Sequence, residues 1–172
     1  VLLWREGVPA DAPAVAAVDA AGIAACAWSP DGRFCAVLGR TGLLHVLADD
    51  LAPVVSASPA VRERLGWRAD TVAVAHAAIS WRGDSECFSV AAAPADTPNA
   101  SVQIAVVDRL GRAEAVCAVP PDVALLGVAH AWRPSGDVIA ALGATTKDTA
   151  SVLLFFERAG PVRHRVPLAD TT

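Results

Sequence analysis

Three tryptophans recur at a nearly constant spacing, and their side chains could line a ligand-binding site. Trp28 and Trp81 are 53 residues apart, and Trp81 and Trp132 are 51 residues apart. Aromatic rings can stack nucleic-acid bases or cover cations, so the three side chains could form a ligand cage. A large side chain at one fixed place in each repeat is also what packing between repeats requires. We favour the packing role, because a near-constant period marks a repeat architecture.

Charged side chains next to these tryptophans could pass for acid/base pairs: Asp31, Asp84 and Asp137, with Arg33, Arg82 and Arg133. They lie in or beside turns, where capping and solvated ion pairs are the usual roles. The histidines are scattered, at His45, His76, His130 and His164. No Ser or Cys has a spacing that suggests a nucleophile with its base. The sequence therefore predicts no catalytic residue and no cofactor-binding residue.

Four cysteines are present, Cys26, Cys35, Cys87 and Cys117. They form no C-x-x-C pair and have no His partner at zinc spacing, so no metal site is expected. If a hairpin pairs Trp28 with Arg33, Cys26 lies opposite Cys35 and a cross-strand disulfide is sterically conceivable. We favour buried free thiols in a reducing compartment.

Each tryptophan ends an apolar run that is followed by a turn and a second apolar run. In the first repeat the turn is Ser29–Arg33, where Pro presets φ, Asp can bond its own backbone and Gly tolerates positive φ. The apolar runs that we expect to form strands are 22–28, 34–38, 43–48, 53–57, 72–81, 87–93, 102–107, 113–119, 125–132, 138–143, 151–156 and 162–168. They predict an all-β fold, a WD40-like β-propeller fragment of about three four-stranded antiparallel blades.

The repeats are expected at approximately residues 8–58, 66–119 and 122–168. Residues 1–7 echo residues 152–158, the third run of the last repeat, and are expected to be the end strand of a preceding blade. A propeller needs about 4 to 8 blades to close. Residues 1–172 are therefore expected to be part of one larger propeller.

Other elements are expected between these strands. Helical periodicity is confined to 59–65, with Ser58 as the expected N-cap and Pro59 at the first helical position, although a loop turn fits equally well. Asp108, beside residues 109–111, is expected in the turn between a blade's outer strands. The polar segments 96–99 and 145–149 are expected to lengthen two hairpins, and such loops are where propellers meet partners.

Composition narrows the classes of partner. The chain is 54% hydrophobic, yet no apolar run reaches the length of roughly 18 to 20 residues that a membrane helix needs. The formal net charge is −4, and the basic stripe that phosphate binding requires is missing. We therefore expect no membrane contact and no direct nucleic-acid binding by this stretch of chain.

Several phrases inside the repeats resemble one family. Ile79–Val90 resembles the "WRGDG..FAV" segment of the largest subunit of Elongator, the tRNA wobble-uridine modification complex. Residues 131–140 resemble its "AWKPSG.LIA" segment, and residues 154–164 are similar to "VFFE.NGLRH". Upstream, residues 19–23 and 27–31 are similar to "VDSGI" and "WSPD". The matches keep the family's order and extend over most of the chain.

One segment departs from the family pattern. Leu65–Arg68 resembles the family's "VGWG", but a long polar loop usually follows it before "WRGDG". Here only residues 69–78 intervene, so the loop is either short or missing from this stretch of chain.

The resemblance implies a scaffold without catalytic activity or cofactor of its own. In the family, two N-terminal WD40-like propellers precede a helical solenoid and a dimerisation region. Residues 1–172 would be part of the first N-terminal WD40-like propeller. The subunit holds the catalytic subunit that modifies wobble uridine with acetyl-CoA and an iron–sulfur/SAM centre. The implied partners are the other Elongator subunits and the rest of the same chain, in the cytoplasm, with the nucleus also open.

Two other classes remain open on the residues alone. The repeat pattern also allows a generic WD40-like interaction module of another complex. It also allows the propeller domain of a hydrolase or a periplasmic protein, in which Trp-Ser-Pro-Asp-Gly-Arg is common. Residues 81–84 and 155–158 depart from that second pattern.

Overall fold

The computed structural model describes residues 2–3, 14–15, 18–67, 73–95 and 101–168. Within them, each sequence repeat folds into one four-stranded antiparallel sheet. The strands of a sheet follow one another in chain order, as in the blade of a propeller. The predicted fold class, all-β with three four-stranded antiparallel blades, is confirmed.

The blades are numbered in chain order, and a short helix joins the first two. Blade I contains β3 (Ile23–Trp28), β4 (Phe34–Gly39), β5 (Leu44–Ala48) and β6 (Pro53–Ser58). Helix α1 (Ala60–Arg64) follows. Blade II contains β7 (Val74–Trp81), β8 (Cys87–Pro94), β9 (Gln103–Asp108) and β10 (Ala113–Val116). Blade III contains β11 (Val123–Trp132), β12 (Val138–Thr145), β13 (Ser151–Glu157) and β14 (Val162–Pro167). Ahead of blade I, β1 (Leu2–Leu3) pairs with β2 (Ala14–Val15).

Alternating side chains of blade II point to blades I and III. One apolar core lies between blades I and II and includes Ala36, Leu38, Trp81 and Phe88. A second core lies between blades II and III and includes Cys87, Ile139 and Phe156. The first strands of the three blades, β3, β7 and β11, pack side by side. Both sheet faces of blade II are therefore buried, which explains the continuous apolar runs of β8 and β9.

The first hairpin has a different register from the one that would place two cysteines opposite each other. Trp28 pairs with Cys35, and Cys26 pairs with Val37. The turn begins one residue later than expected: the Ser29 backbone N–H donates to the carbonyl of Phe34 at 2.8 Å, so Ser29 and Phe34, rather than Trp28 and Arg33, close it. This shift separates Cys26 from Cys35, so the conceivable disulfide is wrong and all four cysteines are free thiols.

The start of the helix and the end of β10 are two of the element boundaries that differ from the prediction. The helix forms, but Pro59 rather than Ser58 is its N-cap, because Ser58 is still part of the extended strand β6. Strand β10 ends at Val116 rather than at residue 119. The chain leaves the sheet there, and the Ala118 N–H donates to the Gly160 carbonyl of blade III at 2.8 Å. Among the described residues, no helix has the length and apolar character to cross a membrane.

Candidate functional site

Two of the three tryptophans connect neighbouring blades through the same hydrogen bond. The indole N–H of Trp81 in blade II donates to the Ala27 carbonyl of blade I at 3.0 Å. The indole N–H of Trp132 in blade III donates to the Ser80 carbonyl of blade II, also at 3.0 Å. In both cases the acceptor is the residue just before the preceding blade's tryptophan. The packing role is confirmed for Trp81 and Trp132.

Burial differs among the three rings. Trp81 is only 8% exposed, and its ring centroid lies 4.6 Å from that of Phe88. Trp132 is half-buried, whereas Trp28 is 39% exposed. The ligand-cage interpretation requires rings that converge on one space. Trp81 and Trp132 instead lie in successive interfaces between blades, so they form no cage with each other.

We call the two interfaces seam I–II and seam II–III, each defined by the tryptophan of the later blade and the residues around it. In seam I–II, Ile79 and Trp81 pack against small apolar residues of blade I, including Ala27 and Ala36. Ala27 and Ala36 are register partners in the β3–β4 hairpin. Around the indole hydrogen bond, the side chains of this seam are apolar.

In seam II–III the corresponding positions are polar. Ser80 and Ser89 are register partners in the β7–β8 hairpin, as Ala27 and Ala36 are in blade I. His130 lies two residues before Trp132, where blade II has Ile79. Its Nε2 lies 2.8 Å from the Ser89 Oγ, and its Nδ1 lies 2.8 Å from the Val128 carbonyl oxygen.

The Ser89–His130 pair was missed by reasoning from sequence spacing, because 41 residues separate its members. A Ser hydroxyl beside an imidazole is the arrangement of a nucleophile and its base. Ser89, however, is fully buried at 0% exposure, and the second imidazole nitrogen contacts a carbonyl rather than a carboxylate. A substrate has no access to this hydroxyl, so the pair is a structural contact between blades. Aligning the three repeats on their tryptophans places both residues next to the seam.

The acidic residues of the first turns serve as caps, as predicted. Asp31 accepts hydrogen bonds from the Ser29 hydroxyl at 2.6 Å and the Arg33 backbone N–H at 3.1 Å. Asp84 accepts two hydrogen bonds from the Arg82 guanidinium, at 2.8 and 2.5 Å. The hydrogen bond from Ser29 and the ion pair with Arg82 lower the pKa values of Asp31 and Asp84, respectively.

The third turn and the outer turn of blade II follow the same design. Asp137 accepts from the Ser135 hydroxyl and pairs with Arg133 and Arg163. Asp108 caps the β9–β10 turn by accepting the backbone N–H of Arg112 at 2.8 Å, which confirms its predicted turn role. These carboxylates are engaged in fixing backbone, so none has the environment of a general acid or base.

One turn residue links two blades in a way that the sequence pattern does not predict. Ser85 has φ +62° and takes the place that Gly32 (φ +71°) and Gly136 (φ +76°) hold in the other two turns. Its side chain is buried, and its Oγ accepts the Asp31 backbone N–H of blade I at 3.2 Å. The signal was available in the sequence, since serine stands where the other repeats have glycine.

The remaining histidines and cysteines are separated from one another. His45 is 8% exposed and accepts the Ala57 N–H at its Nδ1. His76 and His164 are exposed on different blades. Cys35, Cys87 and Cys117 are buried, as expected, but Cys26 is exposed, because its face of β3 is turned away from blade II. Burial raises the pKa of Cys35 to about 11 and that of Cys117 to about 12. Within the described ranges, no three His, Cys, Asp or Glu residues lie together in a metal-binding group.

The structure describes one of the two segments that were predicted to meet partners. Residues 96–99 lie outside the described residues. Residues 145–149 form a tight connection between β12 and β13, in which the Thr149 backbone N–H donates to the Thr145 carbonyl.

Blade III also presents exposed apolar side chains on the face directed away from blade II, among them Leu142 and Val166. In blades I and II the corresponding face is covered by the next blade.

Four-stranded blades joined by indole hydrogen bonds define a β-propeller protein. The family model described as the ELP1 first N-terminal beta-propeller matches residues 67–169, more than half of the sequence. The chain belongs to this family, which confirms the resemblance found in the sequence.

Solved structures extend the fold assignment. The chain is similar to one titled "Crystal structure of the eukaryotic initiation factor", with TM-score 0.58 and 8% identity over 86% of this chain and 32% of the other. It is also similar to Kuenenia stuttgartiensis hydrazine synthase, with TM-score 0.52 and 15% identity over 86% of this chain and 38% of the other. The chain thus spans about a third of each structure that it resembles, and at these identities the likeness concerns the fold alone. Among curated proteins, none matches the chain.

Proposed function

We propose that the chain is part of the first N-terminal propeller of the scaffold subunit of Elongator, and that it organises the catalytic subunit and other partners without catalysing a reaction itself. The observation that carries this proposal is the family match over residues 67–169, which covers blades II and III. The pairing of β1 with β2 ahead of blade I supports the further proposal that the chain begins within an earlier blade of the same propeller.

The described side chains support a role without chemistry. The hydroxyl of the serine that meets a histidine is inaccessible, and the acidic turn residues cap backbone. A propeller with these properties contributes surfaces rather than reactive groups. We place its action in the cytoplasm, with the nucleus as a second location, and expect it to need no cofactor.

The charge distribution supports protein partners over tRNA. A protein gains affinity for tRNA when its arginines and lysines contact phosphates and release the bound counterions, so these side chains must be free to contact the phosphates. Most described arginines instead pair with carboxylates of the same chain, namely Arg82, Arg109, Arg112, Arg133, Arg158, Arg163 and Arg165. With a net charge of −4, this stretch offers phosphates little attraction.

The test is a pull-down with the full-length natural protein and the other Elongator subunits, alongside a tRNA gel shift with the isolated complete propeller at moderate salt. We expect subunit capture by the full-length protein and negligible tRNA binding by the propeller. In cells, Trp81→Ala should lower wobble-uridine modification, measured by mass spectrometry of tRNA hydrolysates, while Lys147→Ala at an exposed loop should not. Tight, salt-sensitive tRNA binding by the propeller without subunit capture would overturn the proposal.

A further inference from the structure

We propose that the face of blade III directed away from blade II is a docking surface for a further four-stranded blade, formed by the same polypeptide after residue 172. This covering blade places an indole on the Ala131 carbonyl and an aliphatic side chain on Ala140, so that the new interface is apolar, like seam I–II. No Elongator partner enters the argument or its test, so the outcome is independent of the scaffold proposal.

The apolar side chains of this face occupy positions that are buried in the other two blades. Leu142 lies ten residues after the tryptophan of its blade, as Leu38 and Ala91 do in theirs. Leu38 and Ala91 are 0% exposed beneath the next blade, whereas Leu142 is 39% exposed. Its register partner on β13, Leu153, is only half-buried. Blade III therefore presents the same surface that blades I and II bury.

The backbone acceptor of a blade interface is also present on blade III. Ala27 and Ser80, each directly before the tryptophan of its blade, accept an indole N–H of the next blade at 3.0 Å. The residue directly before Trp132 is Ala131, and it is exposed. The first two interfaces therefore call for an indole of the covering blade at the Ala131 carbonyl. Because the tryptophans recur at near-constant intervals, this indole is expected roughly 50 residues after Trp132.

The residue beside this acceptor distinguishes an apolar interface from a polar one. Seam II–III is polar at Ser89, whose hydroxyl meets His130 at 2.8 Å. Blade III has Ala140 at this position, as blade I has Ala36. A histidine set against Ala140 would lack the hydroxyl that Ser89 supplies, whereas an aliphatic side chain needs no polar partner. The contacting residue should therefore be aliphatic and lie two residues before the tryptophan of the covering blade, as Ile79 does in seam I–II.

A hollow in this face marks a core position that is not filled. It measures about 250 Å³ and is lined by Arg133, Val138, Phe155, Arg163, His164 and Val166. Val138 and Phe155 correspond to Cys87 and Val106 of blade II, which are buried to 1% and 0% exposure in the core shared with blade III. An apolar side chain of the covering blade is expected to fill the hollow in the same way.

The series of interfaces argues for a blade of the same chain as the occupant. Both existing interfaces are made between consecutive repeats and use the same backbone contact. A following repeat continues this series without any new type of contact. A second copy of the chain or an unrelated protein would have to reproduce the position of the indole by chance.

The test is crosslinking of the full-length natural protein with photo-leucine in place of leucine, a substitution that leaves the shape of the side chain nearly unchanged. Crosslinks from Leu142 and Leu153 are mapped by mass spectrometry of tryptic peptides. We expect both to reach one segment of the same chain after residue 172, in which an aliphatic residue lies two positions before a tryptophan. Leu110, 54% exposed in the β9–β10 turn, is the matched control and should give no crosslink to that segment.

Mixing isotope-labelled with unlabelled protein separates the other occupants. Crosslinks between the two forms would show a second copy, and crosslinks to another polypeptide would show a partner protein. Either result overturns the proposal, as does a crosslink to chain that precedes blade I or the absence of crosslinks from both Leu142 and Leu153.

A pair of substitutions measures whether the face is covered in the full-length protein. Leu142→Asp should raise amide hydrogen exchange of β12 and β13 by at least about tenfold, because the carboxylate would be buried without a partner. Leu110→Asp, at an exposed turn, should leave this exchange unchanged. If only Leu142→Asp fails to fold, the side chain is buried, and the crosslinks still identify the segment that covers it. Equally small effects of the two variants would show that Leu142 remains in water and would overturn the docking surface.

Discussion

Seam I–II and seam II–III use the same backbone contact with opposite side-chain chemistry. In both, an indole N–H donates at 3.0 Å to the carbonyl that precedes the earlier tryptophan. Around this bond, the first seam is lined by alanine and isoleucine and the second by serine and histidine. The geometry of a blade interface is thus fixed by tryptophan and backbone, and the neighbouring side chains are free to differ.

The difference has an energetic consequence. An apolar seam is stabilised in proportion to the area that it removes from water and tolerates small changes of shape. A polar seam is stable only while each buried donor and acceptor has its partner, because an orphaned group costs more than the bond contributed. The first seam should therefore respond to loss of volume and the second to loss of either partner.

The largest effect is expected from removing a tryptophan. Trp81→Ala in the complete propeller should destabilise it by about 3 to 5 kcal/mol, through the cavity left in a closely packed core. Trp132→Ala should cost less, because its ring is only half-buried. Thermal melts of both variants measure the difference, with Lys147→Ala as a silent control. If Trp81→Ala leaves stability intact but abolishes binding of a ligand, Trp81 is a site residue rather than a packing residue.

A second pair of substitutions compares two glycines that contact the preceding blade: Gly111 in the β9–β10 turn of blade II and Gly160 in the β13–β14 turn of blade III. A Cβ on Gly160 of blade III would lie 2.2 Å from the Val116 carbonyl oxygen, and φ there is +106°. A Cβ on Gly111 of blade II would lie 2.8 Å from a methyl group of Val55, with φ +76°. A backbone atom cannot give way as a side chain can. Gly160→Ala should therefore cost about 2 to 4 kcal/mol and Gly111→Ala about 1 to 2 kcal/mol in thermal melts. Equal losses of stability would show that the Val116 backbone of blade II moves aside as readily as the Val55 side chain of blade I.

The third prediction converts one seam into the other. Ser89→Ala should cost about 1 to 2 kcal/mol, because it removes the 2.8 Å hydrogen bond between the Ser89 Oγ and the His130 Nε2 and leaves only the longer contact of Nε2 to the Ser89 carbonyl oxygen, at 3.4 Å. Adding His130→Ile recreates the Ala36–Ile79 pairing of seam I–II and should restore most of the loss. Denaturant unfolding of the two single variants and the double variant gives the coupling. Additive effects in this cycle would mean that Ser89 and His130 do not act as a pair.

Much of the fold could be predicted from the sequence. The Trp28, Trp81 and Trp132 period gave the number of blades, and apolar runs bounded by Pro, Gly and Asp gave the strands to within a few residues. These signals are local, because a turn residue acts on its own backbone. The register of the first hairpin was wrong for a related reason. The hydrogen bonds that Ser29 makes with Phe34 and Asp31 move the closing pair of the turn by one residue, and a spacing argument does not count them.

The contacts between blades were less accessible to sequence reasoning. The tryptophans were correctly expected in packing, but their acceptors at Ala27 and Ser80 are backbone atoms, which carry no side-chain signal. Ser89 and His130 meet only because two hairpins from different repeats are stacked. Pairing across repeats is visible in the sequence once the repeats are aligned on their tryptophans, since each seam uses the same positions.

The smallest expected effect concerns Ser85, whose φ of +62° is a conformation that side chains with a Cβ rarely adopt. Ser85→Ala keeps this strain and removes the 3.2 Å hydrogen bond from the Asp31 N–H, so it should cost about 1 kcal/mol. Ser85→Gly loses the same bond but releases the strain, as Gly32 and Gly136 do in the equivalent turns, and should lie within about 0.5 kcal/mol of the natural protein. Thermal melts of the complete propeller with each variant compare the two. If Ala and Gly are equally stable at this position, the turn carries no strain. The hydrogen bond from the Asp31 N–H is then the whole contribution of Ser85 to seam I–II.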